Sequence, residues 1–175
     1  MDKSTGVKQG APNLVDKTEI LQAIATVLTE QLHETVAALQ VAQAGATDAE
    51  SRPENKYDTR ALETSYLAAA HTERAESLRR VLAQLHFWRP EPAQQVVGPG
   101  TLVQLDGERA PRLVFLTPFP ASMTIQLHGQ SIQVVTTRAP LALALLGKQI
   151  GDVVTVRVAG QTNDIEIVAI DPPSL

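Results

Sequence analysis

Residues 134–152 read Val134-Val135-Thr136-Thr137-Arg138-Ala139-Pro140-Leu141-Ala142-Leu143-Ala144-Leu145-Leu146-Gly147-Lys148-Gln149-Ile150-Gly151-Asp152. A β-branched run ends at Thr137, and Pro140 then opens an apolar stretch closed by Gly147. Proline fits a first helical turn because the amide it lacks has no partner there, and glycine ends helices because it accepts a left-handed backbone. The stretch therefore predicts a strand, a short helix over 140–146 and a turn. Upstream, β-rich runs at Thr101–Leu105, Leu113–Thr117, Met123–Leu127 and Ser131–Thr137 are separated by Gly107, Pro118 and Gly129, which reads as successive strands. Downstream, Val153–Val158 and Asp164–Ile170 read as two more strands, turned by Gly160 to Asn163. Residues 96–175 are thus expected to form a small, mainly antiparallel α+β domain with one short helix.

Before Val96 the period lengthens from two to nearly four. Leu21, Ile24, Leu28, Leu32, Val36 and Leu39 mark one helical face from Asp16 to about Ala44. Asp16 with Glu19 three residues on resembles a capping box, and Gly45 is the expected end. A helix of this span is roughly 45 Å long at 1.5 Å per residue and needs a partner. That partner is Pro53 to about Phe87, where Leu62, Tyr66, Ala69, Leu78, Val81, Leu82 and Leu85 repeat helically without Gly or Pro. An antiparallel coiled-coil hairpin over 16–89 follows, after a polar tail at 1–15. Arg89-Pro90-Glu91-Pro92 cannot continue a helix, so 90–95 reads as a linker. The turn near 46–58 gathers Asp48, Glu50, Glu54 and Asp58, an acidic tip with few bases beside it.

Composition bounds the function. With 175 residues and 43% of them hydrophobic the chain can bury a core, and a formal charge of -4 argues against wrapping nucleic acid unaided. The absence of cysteine excludes disulfides, thiolate metal sites and thiol catalysis, and fits a cytoplasmic protein. No signal peptide or membrane span is visible. His33, His71, His86 and His128 have no metal-ligand spacing, and Arg60, Arg74, Arg79 and Arg80 read as the solvated side of a helix.

A long helical hairpin with an acidic tip, followed by a compact β domain, resembles the Gre family of bacterial transcript cleavage factors. Residues 134–152 look like that family's strand, Ser-Pro, short helix, Gly-Lys and Gly-Asp block, with Ala139 where the family has Ser. At the tip, Glu54-Asn55 followed by Tyr57 looks like the family's Glu-Asn and nearby Tyr. The resemblance spans Asp16 to Ile170 and implies an FKBP-like β domain docking on bacterial RNA polymerase at its secondary channel. Ala139, Pro140, Leu141, Gly147, Lys148, Gly151 and Asp152 become the candidate partner-binding residues, and Asn55 and Tyr57 candidate tip residues. It also implies indirect contact with nascent RNA and a magnesium ion shared with the polymerase rather than bound stably alone. The candidate ligands and catalytic groups are Glu54 and Glu50, with Asp48 as a further metal candidate, because this chain has Ser51 where the family has Asp. The chain would then be an accessory factor that stimulates the polymerase's own RNA hydrolysis. Its oligomeric state is left open, with a monomer as the default.

Other readings compete. Ser51 and Glu54 also form a Ser-x-x-Glu capping box that starts the second helix, and Asp58 suits a helix N-terminus. A regulator that occupies the secondary channel without supporting cleavage is the main alternative, and a coiled-coil adaptor unrelated to transcription is a third. Prolyl isomerase activity is set aside, since only Phe115 and Phe119 offer aromatic surface for a pocket and fold does not carry function.

Overall fold

The computed structural model describes residues 16–47, 60–92, 94–107, 112–158 and 160–172. Two helices come first, α1 (Lys17–Thr47) and α2 (Arg60–Phe87). They are followed by strands β1 (Leu102–Gly107), β2 (Arg112–Thr117), β3 (Met123–Leu127) and β4 (Gln130–Thr136), then the short helix α3 (Pro140–Leu145), and strands β5 (Val153–Val158) and β6 (Gln161–Ile170). The chain splits into two compact units, Leu21–Trp88 and a second one joining Met1–Ile20 to Arg89–Leu175. The first turn of α1 therefore belongs with the β domain.

The six strands form one sheet in the order β3-β4-β2-β1-β6-β5. All neighbours are antiparallel except β2 and β4, which run parallel with Phe115 opposite Val134. Alternation sends successive side chains to opposite faces, and on the central strands both faces are buried. Val103, Leu105, Val114, Leu116, Val135, Ile165 and Ile167 share one core with Ala142 and Leu145 of α3. Leu102, Phe115, Ile125, Ile132 and Val134 are buried on the other side of the sheet. This two-sided burial explains why β1 and β2 read as nearly continuous apolar runs.

Several local expectations are corrected. The hairpin between β5 and β6 is tighter than 160–163, because Gln161, Thr162 and Asn163 already pair with Val158, Arg157 and Val156. Gly160 at φ 82° occupies the left-handed region that a tight hairpin requires. The β3–β4 hairpin is also tight, with His128 at φ 49° and Gly129 at φ 76° between paired Leu127 and Gln130. Two consecutive positive φ values match the twist of the strands they join.

Within Leu21–Trp88, the buried residues of α1 are Ile24 and Leu28, and those of α2 are Ala75, Leu78, Val81 and Leu85. Gln31 Oε1 accepts a long 3.4 Å hydrogen bond from Arg74, linking the two helices. Toward the far end of the hairpin the stripe fades. Leu62 and Tyr66, expected in the packed face, are 56% and 67% exposed, and Ala69 is exposed as well. Gly45 does not end α1, which continues to Thr47. Glycine inside a helix costs about 1 kcal/mol relative to alanine, a penalty and not a stop.

The start of α1 is capped as Asp16 suggests, though not by a reciprocal box. Asp16 Oδ1 accepts from the Thr18 amide at 2.8 Å. Glu19 turns to the β domain instead, its Oε2 lying 2.6 Å from Nε2 of His128.

Candidate functional site

Asp48, Glu50, Glu54, Asn55 and Tyr57, together with Ser51 and Asp58, lie outside the described residues. The remaining candidates fall in 139–152, where the backbone explains most of the sequence. Ala139 is the N-cap of α3 in an extended conformation with no side-chain cap bond. The turn is held by main chain instead: the Ala139 amide donates to Thr136 O at 2.9 Å, and Ala139 O accepts from the Leu143 amide at 2.9 Å. A serine here would add a hydroxyl acceptor to the cap. Pro140 takes the first helical position.

Beyond α3 the chain is tied from two sides. The Gly147 amide donates to Val97 O at 2.9 Å, and the Val97 amide donates back to Lys148 O at 2.9 Å. The Gly151 amide donates to Ile167 O at 2.8 Å, and the Ile167 amide to Asp152 O at 3.0 Å. Gly147 at φ 78° and Gly151 at φ 87° adopt the left-handed conformation that side chains resist. An added Cβ at either glycine would meet nothing within 4 Å, so the requirement comes from the backbone and not from crowding. The Asp152 carboxylate accepts from the Gln149 amide at 2.8 Å and closes the turn. Gly147, Gly151 and Asp152 thus have structural work in the turn, and Leu141 packs partly buried against the core.

What the block leaves outside is more informative about contact. Leu143, Ile150 and Val153 are 62%, 60% and 59% exposed, with Lys148 and Gln149 also exposed among them. None of these three apolar residues is among the residues expected from the sequence, because they stand out only against the buried residues beside them. Leu143 lies out of step with buried Ala142 and Leu145, Val153 out of step with buried Val154 and Val156, and Ile150 sits in a turn. Among the described residues no group of three or more His, Cys, Asp or Glu is arranged to hold a metal. No helix among them is long and apolar enough to cross a membrane.

The same region carries the family signature. Residues 128–172 match the model of the C-terminal domain of the transcription elongation factors GreA/GreB. No curated protein matches the chain. Solved structures similar to it include the GreA factor homolog 1 (Gfh1) protein of Thermus thermophilus, at 21% identity and TM-score 0.37, covering 85% of this chain and 94% of that one. Thermus aquaticus Gfh1 gives 22% identity and TM-score 0.36 over 85% of this chain and 94% of its own. A GreA/GreB factor from Nitrosomonas europaea gives 20% identity and TM-score 0.34 over 62% and 91%. The Gre-type resemblance read from residues 134–152 is borne out by the match of residues 128–172 to the GreA/GreB C-terminal domain.

Proposed function

We propose that this protein is a cytoplasmic transcription elongation factor that binds bacterial RNA polymerase at its secondary channel through the C-terminal domain. The observation that carries this reading is the GreA/GreB match over residues 128–172, which spans the stretch where Leu143, Ile150 and Val153 stand exposed beside Lys148. Apolar side chains already in water cost little to change in the free protein but much in a desolvated contact. The test is polymerase binding by wild type and by Leu143→Asp/Ile150→Asp. At least ten-fold weaker binding with an unchanged melting temperature supports the reading; unchanged binding removes this surface from it.

The finer reading is that the hairpin brings Glu54 and Glu50, with Asp48 nearby, to the polymerase active centre, where they help hold magnesium and stimulate cleavage of backtracked RNA. Carboxylates suit that hard ion, which when bound supplies a positive centre to orient the attacking water. The catalytic site would belong to the polymerase, and this chain would contribute oxygen ligands and their negative charge. Ser51, where the family has Asp, favours a second reading: a secondary-channel regulator that binds without promoting cleavage. Transcript cleavage on backtracked complexes separates the two, since only the first predicts products that depend on Glu54.

A further inference from the structure

Asp171 follows the end of β6 at φ 46°, a left-handed backbone conformation that Asp tolerates better than most residues. Its side chain is 3% exposed and its oxygens are fully engaged. Oδ1 accepts from the Leu102 amide at 2.9 Å, and the Asp171 amide returns a bond to Leu102 O at 2.7 Å. Oδ2 accepts from Lys17 Nζ at 2.8 Å and from the Gln94 amide at 3.0 Å. Lys17 Nζ, on a side chain 9% exposed, also donates to Glu91 O at 2.7 Å. A buried ion pair survives only when hydrogen bonds replace the water each charge has lost. Among the described residues no buried side-chain nitrogen or oxygen lacks a partner.

The places these bonds come from give the pair its meaning. Lys17 is the first residue of α1, whereas Glu91 and Gln94 follow α2, which ends at Phe87. One carboxylate and its lysine therefore hold both the entry to the helical hairpin and the exit from it, and attach them to the start of β1 and the end of β6. Neither residue belongs to the apolar core cluster of the sheet, which includes Val103, Leu116, Val135 and Ile167.

We infer that Lys17 and Asp171 form a clasp that anchors both roots of the hairpin to the β domain, so that severing it frees the roots while the sheet stays folded. Glu19 and His128 add a second tie at the α1 root, more exposed and therefore weaker.

The test is amide hydrogen exchange on the full chain for wild type, Lys17→Met and Asp171→Asn. Lys17→Met keeps length and removes charge; Asp171→Asn keeps tolerance of the left-handed backbone and one acceptor oxygen. In Lys17→Met, amides of residues 21–24 should exchange at least ten-fold faster, while those of Val114, Leu116 and Val135 stay within two-fold. In Asp171→Asn the same change should extend to Trp88, whose amide closes the end of α2 on Gln84 O. Unchanged root amides in both variants overturn the inference. Equal acceleration in β2 and β4 overturns it too, because the pair would then be part of the core and not a root clasp.

Discussion

Leu102 and Val103 are neighbours on β1 and both are 0% exposed; Tyr66 and Leu67 are neighbours on α2 and are 67% and 56% exposed. The contrast runs through the molecule. In the β domain both faces of the central strands are covered, and the turn at 147–152 is tied to Val97 and Ile167 by main-chain bonds. Among the described residues of the hairpin the fully buried ones lie in the part nearer the roots, and farther along α1 Leu32, Val36 and Leu39 are only half-buried. Its threonines fold back on their own helix, as Thr26 and Thr29 of α1 and Thr72 of α2 each donate to the carbonyl four residues earlier. A periodic apolar row thus has two meanings: self-burial in the sheet and near the helix roots, and a solvent-facing surface farther along α2.

The sharpest way to test that contrast is to empty one site in each region. Phe115→Ala removes a fully buried ring from β2 and should cost about 3–5 kcal/mol, enough to unfold the β domain in a denaturant titration. Leu78→Ala on α2 removes a side chain 5% exposed and should cost about 2–3 kcal/mol, seen as lost helical signal while the sheet persists. If both variants unfold everything in one transition with equal cost, the two regions are not energetically distinct. Gly151→Ala should cost about 1–2 kcal/mol through its φ of 87° alone, since its Cβ would enter open space.

The smallest effects probe the helix ends and the outer surface. The Thr18 side chain and then its amide hydrogen-bond Asp16 and hold its carboxyl below the usual 3.8. A lowered folded-state value means that the cap's contribution is present above the unfolded value and is lost as pH falls through the folded one. Acidification below about pH 4 should therefore fray the α1 start in wild type, and Asp16→Asn should remove that dependence; helical circular dichroism from pH 5 to 2.5 measures both. Tyr66→Ala should change stability by no more than about 0.5 kcal/mol, as expected for an exposed side chain. A larger loss would mean that the far part of α2 is packed after all.

The β domain was legible because its residues carry their own instructions. Pro140 and Gly147 bracket α3, period-two alternation locates the strands, and Gly129 marks a hairpin. The parallel pairing of β2 with β4 was not, since alternation says which face a side chain takes and not which strand lies beside it. Long-range polar contacts were hidden as well. Lys17 sits beside a helix cap, and nothing near it in sequence reveals Asp171. Glu19 reads as half of a capping box until His128 arrives from a distant turn. In the candidate site, turn geometry accounts for Gly147, Gly151 and Asp152, whereas Leu143, Ile150 and Val153 emerge only when burial shows which apolar residues the core leaves out. For the tip, residue chemistry and family resemblance carry the reading, because Asp48, Glu50 and Glu54 lie outside the described residues.

The most direct test of the account is transcript cleavage on a backtracked RNA polymerase complex with magnesium, comparing no factor, wild type and Glu54→Ala. If the tip carboxylates hold magnesium as proposed, wild type accelerates release of the RNA 3′ fragment at least ten-fold and Glu54→Ala returns the rate to background while still binding polymerase. Wild type that binds without accelerating cleavage, or cleavage that survives Glu54→Ala unchanged, contradicts it.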